Sequence, residues 1–205
     1  MLTIINCGIG NIGSIKNMLK KIGVEAILSS NEDDIKKADK LILSGVGSFD
    51  SAMKHLKERK IIDVIREKVM NQKIPLLGIC LGMQLCTKKS KEGELSGLGF
   101  IDAETVKFNF EDKNHALKIP HMGWNSINIK KESIFFKEMY EDSRFYFMHS
   151  YCVVCNSLSD ILTTTTYGYE FISSFEKNNI IGVQFHPEKS HKFGMKLFKN
   201  FVENY

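Results

Sequence analysis

A chain of 205 residues with 43% hydrophobic and 25% charged side chains has an ordinary soluble composition and can bury about 70% of its unfolded surface without a disulfide or metal staple. Its net charge of +4 comes from lysines spread in short clusters such as Lys20-Lys21, Lys36-Lys37 and Lys88-Lys89; without interleaved aromatics these do not suit nucleic-acid binding. The start lacks a basic stretch and a small-residue cleavage site, no apolar run approaches the ~20 residues of a membrane span, and five cysteines are an odd count suited to a reduced compartment, so a cytoplasmic protein with no membrane contact is expected.

In chain order, residues 2–6 read as a short buried strand. Gly8-Ile9-Gly10-Asn11-Ile12-Gly13 follows it and opens a helix, as the dinucleotide fingerprint does. That fingerprint also asks for an acidic residue at the end of the second strand, where this chain has Ser29-Ser30 and reaches Glu32 only afterwards. Dinucleotide binding at residues 8–13 is therefore the rival function, set against a tight glycine turn at a partner surface. Residues 12–22 place Ile15, Met18, Leu19 and Ile22 on one helical face. Residues 24–28, 40–43 and 75–79 are further short apolar runs, separated by helical segments at 49–58 and 61–72. Strands alternating with helices imply parallel pairing and right-handed crossovers, hence a flavodoxin-like, doubly wound α/β sheet with its site at the carboxyl ends of the strands.

The run Leu76-Leu77-Gly78-Ile79-Cys80-Leu81-Gly82-Met83-Gln84 has the form of a nucleophile elbow. A strained strand-to-helix turn presents the nucleophile, and glycines flank it because a Cβ there collides with the neighbouring chain. A helix start and a nearby imidazolium both favour a thiolate at Cys80, and the Leu81 N–H is the natural first oxyanion donor. Far along the chain, Gly182-Val183-Gln184-Phe185-His186-Pro187-Glu188 supplies a base with an acid two residues later. In a strand these point the same way, so Glu188 can orient the His186 ring.

From about Gly99 the pattern changes to strands joined by short turns, at residues 100–108, 119–129, 145–154, 161–167, 170–175 and 180–185, an antiparallel extension of the parallel sheet. Cys152 and Cys155 lie three apart in one such strand, on opposite faces, and read as core thiols rather than a redox or metal pair. Ser190 is the expected N-cap of a last helix with Phe193, Leu197, Phe198, Phe201 and Val202 on one stripe. No linker or repeat interrupts residues 1–205, so one domain is expected, with neither cofactor nor metal.

Four segments resemble one family over nearly the whole chain: Gly78 to Gln84, Pro120-His121-Met122-Gly123-Trp124-Asn125, Tyr146-Phe147-Met148-His149-Ser150-Tyr151, and Gly182 to Ser190. The first and last are common to the triad glutamine amidotransferases. The second, with Gly45-Val46-Gly47, is narrower and resembles the HisH glutaminase subunits of imidazole glycerol phosphate synthase. The resemblance implies that Cys80 attacks the side-chain amide of L-glutamine, that His186 protonates the departing ammonia, and that water then releases glutamate from a thioester. It implies a second oxyanion donor in the loop Gly45, Val46 and Gly47, formed when a peptide rearranges in the active complex. Gln84, Glu92 and the backbone of His149, Ser150 and Tyr151 would grip the glutamine head group. Asn11, Trp124, Tyr146 and Lys189 would face a HisF-like (β/α)8-barrel cyclase in a heterodimer that channels ammonia for histidine biosynthesis.

The chain departs from the family pattern in three places. Ser44 replaces the usual proline before Gly45, removing a constraint on φ. Thr87-Lys88-Lys89-Ser90-Lys91 replaces an often acidic stretch. The sequence His191-Lys192-Phe193-Gly194 looks like that of paralogues serving surface-sugar amidation, the alternative acceptor; a catalytically silent scaffold of the same fold is a third possibility.

Overall fold

The computed structural model describes residues 1–7, 12–110 and 117–205. Asn11 and the glycines at 8 and 10 of the dinucleotide pattern lie outside the described residues. In chain order the elements are β1 (Leu2–Asn6), α1 (Ile12–Lys21), β2 (Ala26–Leu28), α2 (Glu32–Lys36), β3 (Lys40–Gly45), α3 (Phe49–Glu58), α4 (Ile62–Arg66), β4 (Leu76–Cys80), α5 (Leu81–Leu85), β5 (Lys89–Ser90), β6 (Ala103–Lys107), β7 (His121–Ser126), β8 (Asn128–Ile129), β9 (Arg144–His149), β10 (Tyr151–Cys155), β11 (Ile161–Tyr167), β12 (Tyr169–Lys177), β13 (Ile180–Val183) and α6 (His191–Asn204).

The main sheet runs β2-β1-β3-β4-β13-β12-β10-β6-β5. Strands β2, β1, β3, β4 and β13 are parallel, and the antiparallel extension begins where β13 meets β12 and β12 meets β10. The expected α/β architecture is therefore present. Period-two alternation builds it: in β3, Leu41 and Leu43 point into one core while Ile42 points into the other. Helices α3, α4 and α5 cover the first core with Phe49, Leu56, Ile65 and Met83. Helices α1 and α6 cover the second with Ile15, Leu19, Leu197 and Phe201. Each large side chain so buried contributes about 1.5 to 3 kcal/mol.

Three expectations need correction. The single strand at 145–154 is two, β9 and β10, because the chain changes sheets at Ser150. Strand β9 buries alternate residues Phe145, Phe147 and His149 and pairs with β7 in a separate two-stranded ribbon, whereas β10 joins the main sheet. The run at 119–129 divides for the same reason, β8 pairing with β11. The helix at 61–72 is α-helical only to Arg66 and continues as a π-turn over Glu67–Asn71. Cys152 and Cys155 do fall on opposite faces, in different cores.

Candidate active site

Strand β4 ends on Cys80 at φ 52° and ψ −107°, a positive-φ backbone that costs a non-glycine residue about 1 to 3 kcal/mol. The close packing around it is what holds it there. A Cβ on Gly82 would lie 1.8 Å from the Leu43 carbonyl oxygen, and one on Gly78 would lie 2.8 Å from the Gly82 oxygen. Helix α5 starts directly after the sulfur, so the Leu81 N–H belongs to the first turn, whose donors have no helical partner. Strand β3 runs alongside, with Gly45 opposite Cys80. Ser44 does not interrupt it: that residue is paired with Asn6 on one side and Ile79 on the other.

The His186 Nδ1 and the Glu188 Oε1 are 2.8 Å apart, both side chains buried. They meet by a route the sequence did not indicate, since Pro187–Lys189 forms a single 3₁₀ turn rather than a strand. The His186 N–H donates to the Tyr146 carbonyl at 2.8 Å. Ser190 does not cap α6 with its side chain. Its hydroxyl instead donates to the His186 carbonyl at 2.6 Å and accepts the Tyr146 N–H at 3.0 Å, locking the turn to β9.

Among the described residues, the buried Nε2 of His186 has no hydrogen-bond partner; its electrostatic neighbour is the Cys80 sulfur. Burial, the largest influence, disfavours the charged ring, but the sulfur and then the Glu188 carboxylate outweigh it and push the imidazole up to about 10. At neutral pH the ring is an imidazolium ready to give a proton. Burial raises the other four thiols: Cys7 strongly, Cys86 and Cys155 to about 12, and Cys152 to about 11.

A cavity of about 280 Å³ opens on the sulfur, lined by Val46, Gly47, Cys80, Leu81, Gln84, Glu92, Pro120, Met148, His149, Ser150 and Tyr151. Nearly every sequence-predicted oxyanion and substrate residue thus lines this one cavity. Gly45 is the exception, set back in β3. The Glu92 carboxylate accepts the Phe49 N–H at 2.8 Å, which fixes it in the cavity lining. Trp124, Tyr146 and Lys189 gather on one outer face: the Trp124 and Tyr146 rings are 6.3 Å apart and the Lys189 ammonium lies 5.5 Å from the Tyr146 ring. Trp124 is 42% exposed and stacks on His191 at 5.5 Å. Among the described residues, no group of three or more His, Cys, Asp or Glu is placed to hold a metal ion.

Sequence reasoning missed Gln184, which is fully buried with its Nε2 3.6 Å from the Cys80 sulfur. The period-two argument applied to His186 and Glu188 points equally to Gln184 and His186. It also missed His121, whose Nδ1 is 3.1 Å from the Nε2 of His149. The His149 Nδ1–H donates to the Tyr151 carbonyl at 2.7 Å, so its Nε2 accepts from His121. Burial lowers both rings from an ordinary 6.5, to about 4 for His121 and about 3 for His149, which leaves both neutral at pH 7. Between those values and 6.5 the unfolded chain binds more protons than the folded one, so stability falls as pH drops through that window. Thermal unfolding between pH 6.5 and 4 is expected to show a drop in midpoint that is smaller, by on the order of 5 °C, in His121→Gln. Identical slopes for the two proteins would contradict this assignment.

The family model described as glutamine amidotransferase class-I matches residues 3–205. The chain is 56% identical to "Imidazole glycerol phosphate synthase subunit HisH 2" of Methanococcus maripaludis, over 99% of each chain. It is 47% identical to the protein of the same name from Pseudomonas aeruginosa, again over 99% of each. Among solved structures, "Structure of PurLQS from Thermotoga maritima" superposes with a TM-score of 0.72 at 18% identity, covering 98% of this chain and 97% of that one, a likeness of fold.

Proposed function

Because the chain belongs to the class-I glutamine amidotransferases, and within them to the HisH subunits of imidazole glycerol phosphate synthase, we propose that Cys80, His186 and Glu188 form its glutaminase triad. The observation that carries this is the positive-φ cysteine beside a buried imidazolium that is held from behind by a carboxylate. Cys80 attacks the glutamine amide, with the Leu81 N–H and a donor from the Val46–Gly47 loop receiving the oxyanion, and the His186 imidazolium gives its proton to the departing ammonia. Once the sulfur is acylated, its negative charge no longer raises the ring. His186 is then a neutral base that takes a proton from the water cleaving the thioester. Gln84, Glu92 and the backbone of His149, Ser150 and Tyr151 bind the substrate head group.

Residues 1–205 act as one domain, in the cytoplasm, where all five cysteines stay reduced; among the described residues no helix is long and apolar enough to cross a membrane. At neutral pH free ammonia becomes ammonium, which is no nucleophile. A glutaminase serving histidine biosynthesis therefore gains from passing ammonia directly into a HisF-like (β/α)8-barrel cyclase docked on the face of Trp124, Tyr146 and Lys189. Completion of the oxyanion hole by the docked barrel supplies a switch, since one such donor changes the rate by roughly a hundred- to a thousand-fold. The test measures glutamine hydrolysis by the chain alone and with the cyclase and its nucleotide ligand. A stimulation of about a hundred-fold or more is expected; equal rates would overturn the partnership.

A further inference from the structure

Gln184 is wholly buried beside the nucleophile, and the triad gives it no task. Its orientation is forced from a distance. The Tyr151 carbonyl can only accept, and it accepts from the His149 ring at 2.7 Å and from the Gln84 amide nitrogen at 3.3 Å. The second N–H of that nitrogen is 3.1 Å from the Gln184 side chain, which must therefore present its oxygen there. With its oxygen committed, the Gln184 amide has only its nitrogen left to face Cys80, 3.6 Å from the sulfur.

We propose that Gln184 holds the Cys80 sulfur in its thiolate form by donating an amide N–H to it, and that Gln84 and the Tyr151 carbonyl prevent the amide from turning its oxygen to the sulfur. The inference rests on Cys80 being the nucleophile. A thiol at Cys80 has an acceptor in the Met148 carbonyl, 3.9 Å away, so the donor from Gln184 favours the deprotonated sulfur against that acceptor. The titratable groups around the sulfur are His186, with Glu188 behind it, and His149 and Glu92 on the cavity wall. The sulfur thus accepts from Gln184 and acts electrostatically on His186.

The experiment follows the rate of alkylation by iodoacetamide against pH in the intact chain, with the modified cysteine located by peptide mass and folding checked by thermal unfolding. Gln184→Leu removes the donor, and the half-maximal pH is expected to rise by about one unit with a roughly tenfold slower reaction at pH 7. Gln184→Glu, of the same shape, replaces the donor with an acceptor and is expected to shift the profile upward further. It supplies the reading if the leucine variant does not fold. Gln84→Leu keeps Gln184 but frees its oxygen, so a smaller upward shift is expected. Alkylation at Cys80 with an unchanged profile in any folded Gln184 variant overturns this inference alone. Alkylation at another cysteine in the unaltered chain overturns the assignment of the nucleophile instead.

Discussion

Cys80→Ala is expected to lower glutamine hydrolysis by about four orders of magnitude or more, while the complex with its cyclase still performs the synthesis when supplied with ammonium salt at a pH that frees some ammonia. The substitution removes the sulfur and keeps the backbone that presents it, on a φ of 52° at the end of β4 and bordering the cavity. Water cannot substitute for the sulfur, because the rest of the site is arranged for proton transfer to the nitrogen that departs as the thioester forms. The ammonia-dependent synthesis is expected to survive because the proposed partnership puts the acceptor chemistry on the cyclase. The two assays, run on the same preparation, check this. Loss of both activities in a folded complex would show that the division of labour is wrong.

Gly82→Ala is expected to damage both fold and activity. The added methyl would lie 1.8 Å from the Leu43 oxygen and 2.6 Å from its carbon, backbone atoms of a strand hydrogen-bonded on both sides. Relief requires β3 and α5 to move apart, which costs about 1 to 3 kcal/mol and more if the strand resists. That movement also shifts the Leu81 N–H relative to the Val46–Gly47 loop. The expected result is a melting temperature lower by on the order of 10 °C and hydrolysis reduced about a hundred-fold or more. Gly13→Ala is the control. It lies in α1 with no atom within 4 Å of its added Cβ, where alanine favours a helix by about 0.5 to 1 kcal/mol. Wild-type stability and activity in Gly82→Ala would remove the close-packing account of the elbow.

The elbow was legible because its cause is local: a cysteine that follows an apolar run and has a glycine two residues away on each side fits a tight strand-to-helix turn. The parallel half of the sheet was legible for a similar reason, since alternating strand and helix admit few topologies. The β7–β9 ribbon was not, because the switch at Ser150 depends on which strand each half meets, and the apolar run from Phe145 to Val154 continues across it. The Ser190 hydroxyl was misread as a cap because the partners it takes, the His186 carbonyl and the Tyr146 N–H, come together only in the folded chain. Glu188 was paired with His186 through a strand geometry the chain does not adopt; a proline-started turn brings the same two side chains together. Gln184 was overlooked because its partners, Gln84 and Cys80, are 100 and 104 residues away, and a lone glutamine carries no chemistry of its own.

The most direct measurement of the central claim is to quench the complex in acid during glutamine turnover, digest it and map covalent adducts by mass. A glutamyl group on the peptide carrying Cys80, absent from Cys80→Ala, is the predicted result. Sustained turnover with no adduct at Cys80, or with the glutamyl group on a different residue, would contradict it.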